Sequence, residues 1–373
     1  MGANNPYAAP AQHTVPTPAA AAPMSPSNKV RVAINGFGRI GRAFYKLARL
    51  RPEFEIVAVN DLGDLENMAY LLKYDTAYGK ADFDITLVHP GGAEEPGFVD
   101  GGRKVVLVQE KDATKLPWGR LNVDIVVEST GLFTAFDKAK VHLDAGAKRV
   151  VITAPVKGEE VPGVTSATVL MGINDEKLSS TVMSSNASCT TNAASPLIHI
   201  LHEKIGIEKA LLNTTHAMTG TQRVVDSPGG KDARGGRAAS QNMIPASTGA
   251  AIAVTEAVPD LKGKFDGISI RVPVIAGSIA DITFVAKRDT SVEEVNQILR
   301  DAANDPRWAG VFTVTEEDLV SSDIIGNLHG AIADLQMTRV VGGNLVKVMS
   351  WYDNEVGYTN TLVMHVAEVA KFV

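Results

Sequence analysis

The chain has 373 residues, 45% of them hydrophobic, and carries 42 acidic against 36 basic side chains for a net charge of −6. That balance argues against a general nucleic-acid or anionic-membrane binder. No apolar run reaches the roughly 18 residues that a membrane span needs, and the single cysteine excludes an intrachain disulfide.

Length suggests two or three domains with ample core, and the Ala-, Val- and Gly-rich, aromatic-poor mix suits an α/β protein. Residues 1–28 are rich in Ala and Pro and read as a disordered tail. No basic stretch leads into an apolar core there, so no secretory signal is expected and the protein reads as cytoplasmic.

Order begins at Lys29. A strand from Val30 to Ile34 meets Asn35-Gly36-Phe37-Gly38-Arg39-Ile40-Gly41, a G-x-G-x-x-G turn, followed by an amphipathic helix to about Leu50 and a strand from Glu55 to Val59. Gly36 makes the tight turn, Gly38 admits a pyrophosphate to the helix N-terminus, and Gly41 permits close helix–strand packing. Asp61 lies 20 residues beyond Gly41 at the second strand's end. There it accepts from ribose hydroxyls and repels a 2′-phosphate, which favours NAD over NADP. A helix is expected over Glu66–Tyr74, short strands with glycine turns at Gly91-Gly92 and Gly101-Gly102 over 83–108, and a buried strand over Val123–Glu128. That strand runs into Ser129-Thr130-Gly131, a polar loop where doubly wound folds bind ligands. A helix over Ala135–Ala145 and a strand over Lys148–Thr153 continue the β-α alternation, which implies a mostly parallel sheet.

The run Ser180–Ser184 then leads into Ser185-Asn186-Ala187-Ser188-Cys189-Thr190-Thr191-Asn192. Leu197, Ile198, Leu201 and Ile205 follow at helical spacing, so Cys189 stands where strand gives way to helix. A helix N-terminus lowers a thiol's pKa and favours the nucleophilic thiolate. A strand over Ala210–Thr215 ends at His216, the best-placed partner for that thiol. Residues 223–243 form a long polar loop holding Arg234 and Arg237. Strands over 267–274, 280–287, 335–341 and 345–351, with a Ser-capped helix over 291–303, suggest a largely antiparallel sheet with helices on one face. The last element, 354–372, is a helix that packs back on the first domain. A cysteine nucleophile beside a nicotinamide site suggests aldehyde oxidation through a thioester, with His216 moving the proton. Thr219, Thr248, Gly249, Arg234, Arg237 and Arg271 supply donors suited to phosphate oxygens.

These motifs resemble the phosphorylating glyceraldehyde-3-phosphate dehydrogenase family. The resemblance rests on Asn35–Arg42, Asn60-Asp61, Ser185–Asn192, His216–Gln222, Ser247–Ala251, Arg271-Val272-Pro273 and Ser350–Gly357, and it runs from about Lys29 to the C-terminus. It implies a Rossmann-type, doubly wound, mostly parallel sheet over 29–187, completed by helix 354–373, plus an α+β catalytic domain over 188–353. The 223–243 loop would be that family's S-loop, bordering a neighbouring subunit in a homotetramer. Cys189 is then the nucleophile and His216 the base. Gly36, Gly38, Arg39, Ile40, Gly41, Asp61, Ser129 and Asn354 hold NAD. Ser188, Thr190, Thr219, Thr248, Gly249 and Arg271 bind the phosphates of glyceraldehyde 3-phosphate and of the attacking inorganic phosphate. No metal, nucleic acid or membrane is implied. Ala193 stands where a second cysteine is common, Ile252 where a lysine often follows, and 274–281 departs from the usual pattern. An erythrose-4-phosphate dehydrogenase on the same scaffold, or a non-catalytic NAD- or partner-binding protein, stays open.

Overall fold

The computed structural model describes residues 29–91, 94–156, 161–230 and 232–373. The tail expected over 1–28 lies outside the described residues, as does Gly92 of one expected turn.

The first half begins with β1 (Val30–Asn35), α1 (Arg39–Ala48), β2 (Phe54–Asn60) and α2 (Leu65–Lys73), then a small ribbon of β3 (Tyr74–Asp75) and β4 (Gly79–Lys80). β5 (Ile85–Val88), β6 (Gly97–Asp100) and β7 (Arg103–Val108) form an antiparallel meander. β8 (Ile125–Glu128), β9 (Arg149–Ile152), β10 (Ser166–Thr168) and β11 (Met183–Ser185) complete a nine-stranded sheet in the order β10-β11-β9-β8-β1-β2-β7-β6-β5. Every neighbouring pair from β10 across to β7 is parallel. The chain winds one way from β1 through β2 and the other way through β8, so the strand ends of β1 and β8 flank the crevice where such sheets take ligands. Val32 and Ile34 of β1 point into the core shared with α1, whereas Ala33, Ala58 and Val126 pack on the opposite face around Trp118.

The helix expected over Ala135–Ala145 is two short pieces, α3 (Phe136–Ala139) and α4 (Val141–Asp144), hinged at Lys140.

The second half opens with α5 (Cys189–Ile205) and β12 (Ile207–His216). It continues through β13 (Ile244–Ser247), α6 (Ala250–Ala257), β14 (Phe265–Arg271), β15 (Ser278–Ala286), α7 (Val292–Ala303), β16 (Phe312–Thr315), β17 (Ala331–Val341), β18 (Leu345–Tyr352) and α8 (Val356–Val369). These strands make a seven-stranded sheet, β13-β14-β12-β15-β18-β17-β16, in which only β12–β14 and β16–β17 are parallel. β14 stops at Arg271, short of the expected Val274: Val272 still donates to His216 O at 2.9 Å, but Pro273 has no N–H with which to carry the ladder further. Ser291 caps α7 by accepting from Glu294 N at 3.2 Å.

α5, α6 and α7 cover one face of this sheet, and α8 crosses to pack against α1. α8 begins two residues later than Asn354. The Asp353 carboxylate accepts from the N–H groups of Glu355 and Val356 at 2.9 Å each, acting as the cap that starts the helix. Asn354 is thereby left outside the helix and free to face the crevice. Among the described residues no helix is long and apolar enough to cross a membrane.

Candidate active site

Cys189 is the first residue of α5, and Ser188 is its cap, accepting from Thr191 N at 3.1 Å. The turn before it is strained: Ala187 has φ of 53°, a left-handed conformation that costs a residue with a Cβ. Ser185 Oγ accepts from Ala187 N at 3.0 Å, and Asn192 Nδ2 donates back to Asn186 O and Ser188 O. The small polar residues flanking the cysteine therefore hold the turn that lifts the sulfur to the helix end.

His216 closes β12, and its Nε2 lies 3.3 Å from Cys189 Sγ. Its ring stands edge-on to Tyr352, whose hydroxyl sits between Thr190 Oγ1 at 2.9 Å and Thr214 Oγ1 at 2.7 Å. Arg271 Nη1 and Ala217 O both lie 2.7 Å from His216 Nδ1. The guanidinium only donates and the carbonyl only accepts, so the two partners select opposite tautomers of the ring.

Burial pushes the His216 pKa down to about 3, and the Arg271 charge adds to that shift. Burial pushes the Cys189 thiol up, against the pull of Arg271 and of the Thr190 amide. The lowering influence expected at the helix end is present but smaller than desolvation. At neutral pH the pair rests as thiol and neutral imidazole.

A cleft of about 290 Å³ opens on this pair, bounded by Arg39, Ile40, Ser188, Thr219, Arg271 and Asn354. Thr153, Glu355 and Tyr358 line it as well and were not singled out from sequence. Thr153 follows β9 at a strand's C-terminal end, the position that doubly wound sheets use for ligands, and that signal was readable. A larger cleft of about 800 Å³ lies at the second sheet among Lys209, Lys262, Lys264 and Phe265, and none of the candidate residues lines it.

The remaining candidates divide by what their side chains already do. Ser278 Oγ donates to Asn354 Oδ1 at 2.9 Å, which leaves the amide nitrogen for a ligand carbonyl. Arg39 is paired with Glu355 and Asp75, tying the start of α1 to the start of α8. Asp61 accepts from Phe37 N at 2.7 Å and Gly63 N at 3.0 Å. Ser129 Oγ donates to Gly36 O at 2.6 Å, so that hydroxyl braces the glycine loop. Thr190 is buried, with its hydroxyl on Tyr352. Thr248 and Gly249 stand between β13 and α6 and do not line the cleft. Arg237 is ion-paired with Asp226 on the exposed loop, and neither it nor Arg234 is brought to the cleft.

The glycine loop is shaped for a pyrophosphate. A Cβ on Gly36, whose φ is 93°, would meet Thr130 N at 2.6 Å, and one on Gly41 would meet Gly36 O at 2.1 Å, whereas one on Gly38 would meet nothing within 4 Å. α1 has neither a capping side chain nor an acidic residue in its first turn, so its N–H groups are left for an anion. Among the described residues no group of three or more His, Cys, Asp or Glu is placed to hold a metal.

Two family profiles match this chain: the glyceraldehyde 3-phosphate dehydrogenase NAD binding domain over residues 30–136, and that enzyme's C-terminal domain over 188–354. The chain is 45% identical over 347 residues to a protein of Zymomonas mobilis named glyceraldehyde-3-phosphate dehydrogenase, covering 92% of this chain and 99% of that one. It is 43% identical over 344 residues to glyceraldehyde-3-phosphate dehydrogenase 3 of Saccharomyces cerevisiae, with 92% and 99% covered. Against the Geobacillus stearothermophilus protein of the same enzyme name it is 42% identical over 344 residues, with 92% and 98% covered.

Proposed function

The chain belongs to the glyceraldehyde-3-phosphate dehydrogenase family, and from that premise we propose that it oxidises D-glyceraldehyde 3-phosphate with NAD and inorganic phosphate to 1,3-bisphosphoglycerate, a glycolytic and gluconeogenic step. The observation that carries the reading is Cys189 Sγ at 3.3 Å from His216 Nε2, with Arg271 against the same imidazole.

The steps follow from a neutral pair. A substrate phosphate draws the Arg271 guanidinium to itself. Ala217 O then holds the Nδ1–H tautomer and leaves Nε2 as the acceptor. Cys189 passes its proton to Nε2 as Sγ bonds to the aldehyde carbon. Nε2–H and the N–H of Cys189 meet the oxyanion, and its protonation gives a thiohemiacetal. Nε2 next takes the hydroxyl proton. The glycine loop, α1 and Asn354 would hold NAD, which would supply the hydride acceptor for oxidation of this adduct to a thioester. Inorganic phosphate attacks the thioester carbon, the C–S bond breaks, and the departing sulfur recovers its proton from Nε2. Ser188, Thr219 and Arg271 at the cleft wall serve the phosphates.

The same reading places this enzyme in the cytoplasm as a homotetramer, with the NAD-binding part over 29–187 and the catalytic part over 188–353. Support for assembly comes from the face of the second sheet that, among the described residues, no helix covers. Leu211 and Ile268 are 66% and 54% exposed there, and Val224, Val225 and Met243 of the 223–243 loop are exposed too.

The test follows NADH formation from NAD and glyceraldehyde 3-phosphate, with and without inorganic phosphate, beside erythrose 4-phosphate. Turnover confined to the triose phosphate with inorganic phosphate supports the proposal. Turnover indifferent to phosphate points to hydrolysis by an erythrose-4-phosphate enzyme, and no NADH at all to a non-catalytic binder.

A further inference from the structure

The last rung of the parallel sheet is polar where the rungs beneath it are apolar. Asn60, Asn35 and Glu128 end β2, β1 and β8 in direct register, two residues beyond Ala58, Ala33 and Val126 on the same face. Their side chains are joined sideways. Asn60 Nδ2 donates to Asn35 Oδ1 at 2.7 Å, and Asn35 Nδ2 donates to Glu128 Oε2 at 2.5 Å. From the other side Trp118 Nε1 donates to His142 Nδ1 at 3.2 Å. That contact fixes the proton on Nε2, which lies 3.0 Å from the same Glu128 oxygen. Glu110 N closes the far end by donating to Asn60 Oδ1 at 3.0 Å. Thr130 donates to Glu128 Oε1 through its N–H at 2.8 Å and through its hydroxyl. Asn60 Nδ2 also donates to Glu110 O at 3.0 Å, while the donors between the side chains of the row run toward Glu128, whose carboxylate has the four acceptor positions that the four donors around it need.

Glu128 and His142 are fully buried, so this row costs desolvation that an apolar rung would not. What it secures is position. The residue after each strand-end member is Gly36, Asp61 or Ser129, the edge that faces the dinucleotide. Gly36 approaches Thr130 so closely that a Cβ there would sit 2.6 Å from Thr130 N, so the place of Thr130 decides the place of the glycine loop. Thr130 is in turn held by Glu128, and its hydroxyl accepts from Leu132 N at 3.0 Å.

We propose that Glu128, held by Asn35 and His142 and gripping Thr130, is the positioning residue of the cofactor site: it fixes the spacing of the three strand ends and of the 129–132 loop on which dinucleotide affinity depends. This rests on the dinucleotide reading of the glycine loop. Neither residue reaches the Cys189 cleft, so the chemistry proceeds unchanged once the cofactor is bound.

The test measures the NAD dissociation constant by titration calorimetry, and NAD KM and kcat by turnover, for the full chain and for Thr130→Val, Thr130→Ser and Glu128→Gln. Thr130→Val keeps the branched shape and loses the hydroxyl link, at a half-buried site where folding should survive. The expected result is a Kd and KM raised five- to twentyfold in Thr130→Val and further in Glu128→Gln, kcat within twofold of the parent, and recovery in Thr130→Ser. Unchanged affinity in a folded Thr130→Val variant overturns the proposal, as does equal loss in the Val and Ser variants or a loss that falls on kcat. If the parent chain itself binds no NAD, the dinucleotide reading has failed, and that outcome is distinct from a parent that binds and variants that match it.

Discussion

A nucleophile that rests protonated has to be switched on by what enters beside it. Burial pushes Cys189 up and His216 down to about 3, so in the proposed reaction neither carries charge before the aldehyde arrives. Replacing Cys189 with Ser keeps the size and the polar turn but removes the only atom that can form the thioester. Turnover should fall by about a thousandfold or more, while NAD titrated by calorimetry binds as before. A serine variant that still turns over would remove the covalent intermediate. Asp61 poses a different question, because its carboxylate is already oriented by Phe37 N and Gly63 N. Asp61→Ala removes the charge that repels a 2′-phosphate and loosens the loop together. NAD KM should rise and the NAD-to-NADP ratio of kcat/KM should fall about tenfold, in keeping with the loss of one or two charge-assisted hydrogen bonds. An unchanged ratio from parallel assays counts against a ribose contact.

At the scale of elements, α1 is fixed by how closely its first turn meets the loop beneath it. A methyl group at Gly41 would be driven against Gly36 O at 2.1 Å, backbone that cannot yield without moving the helix. Gly41→Ala should therefore abolish measurable NAD binding by calorimetry and lower the urea midpoint, whereas Gly38→Ala, with open space around it, should keep its fold. Equal behaviour of the two variants would show that α1 packs less tightly than this. The local character of that contact is also why β1, the glycine turn, α1 and β2 were legible in the sequence: strand, turn and helix residues are adjacent, and each turn glycine has its own steric reason. Cys189 at the head of α5 and His216 at the end of β12 were legible for the same reason. Elements fixed by distant partners were not. β10 is three residues paired to β11, and β16 is four residues paired to β17, too short to show a period. The break at Lys140 leaves an amphipathic pattern intact, so 135–145 read as one helix. Thr248 and Gly249 were placed by a motif, and the fold sets them beside β13 and away from the cleft wall. Ser129 and Thr190 carry the expected residue types, yet their hydroxyls are spent on Gly36 O and Tyr352. The row around Glu128 joins residues 35, 60, 118, 128 and 142, and no spacing in the chain announces it.

For the whole molecule, the uncovered face of the second sheet and the buried histidines make separate predictions about assembly and acid sensitivity. Ile268→Lys puts a charge on that face. Sedimentation should then show a smaller species than the parent at the same concentration, and an unchanged mass would place the interface elsewhere. Acid sensitivity follows from His216 and His365, both held down to about 3 by burial, against about 6.5 in an unfolded chain. Between those values the unfolded state binds the protons that the folded state refuses. Stability therefore rises with pH through this window. The contribution is complete above about 6.5 and is lost progressively as pH falls toward 3. His216 is the base of the proposed reaction, so replacing it would mix the two effects. His365 can be replaced without that, since it lies in α8 with its Nε2 2.7 Å from Ser184 Oγ and does not line the cleft. The urea midpoint of the parent should drop between pH 7.5 and pH 5 at fixed protein concentration, which matters because assembly adds to apparent stability. His365→Gln keeps a polar partner for Ser184 and does not titrate, so its midpoint should drop less over the same interval. Parallel curves for the two proteins would mean that His365 takes up no proton on unfolding, and the acid sensitivity would then have to come from His216 and the paired carboxylates.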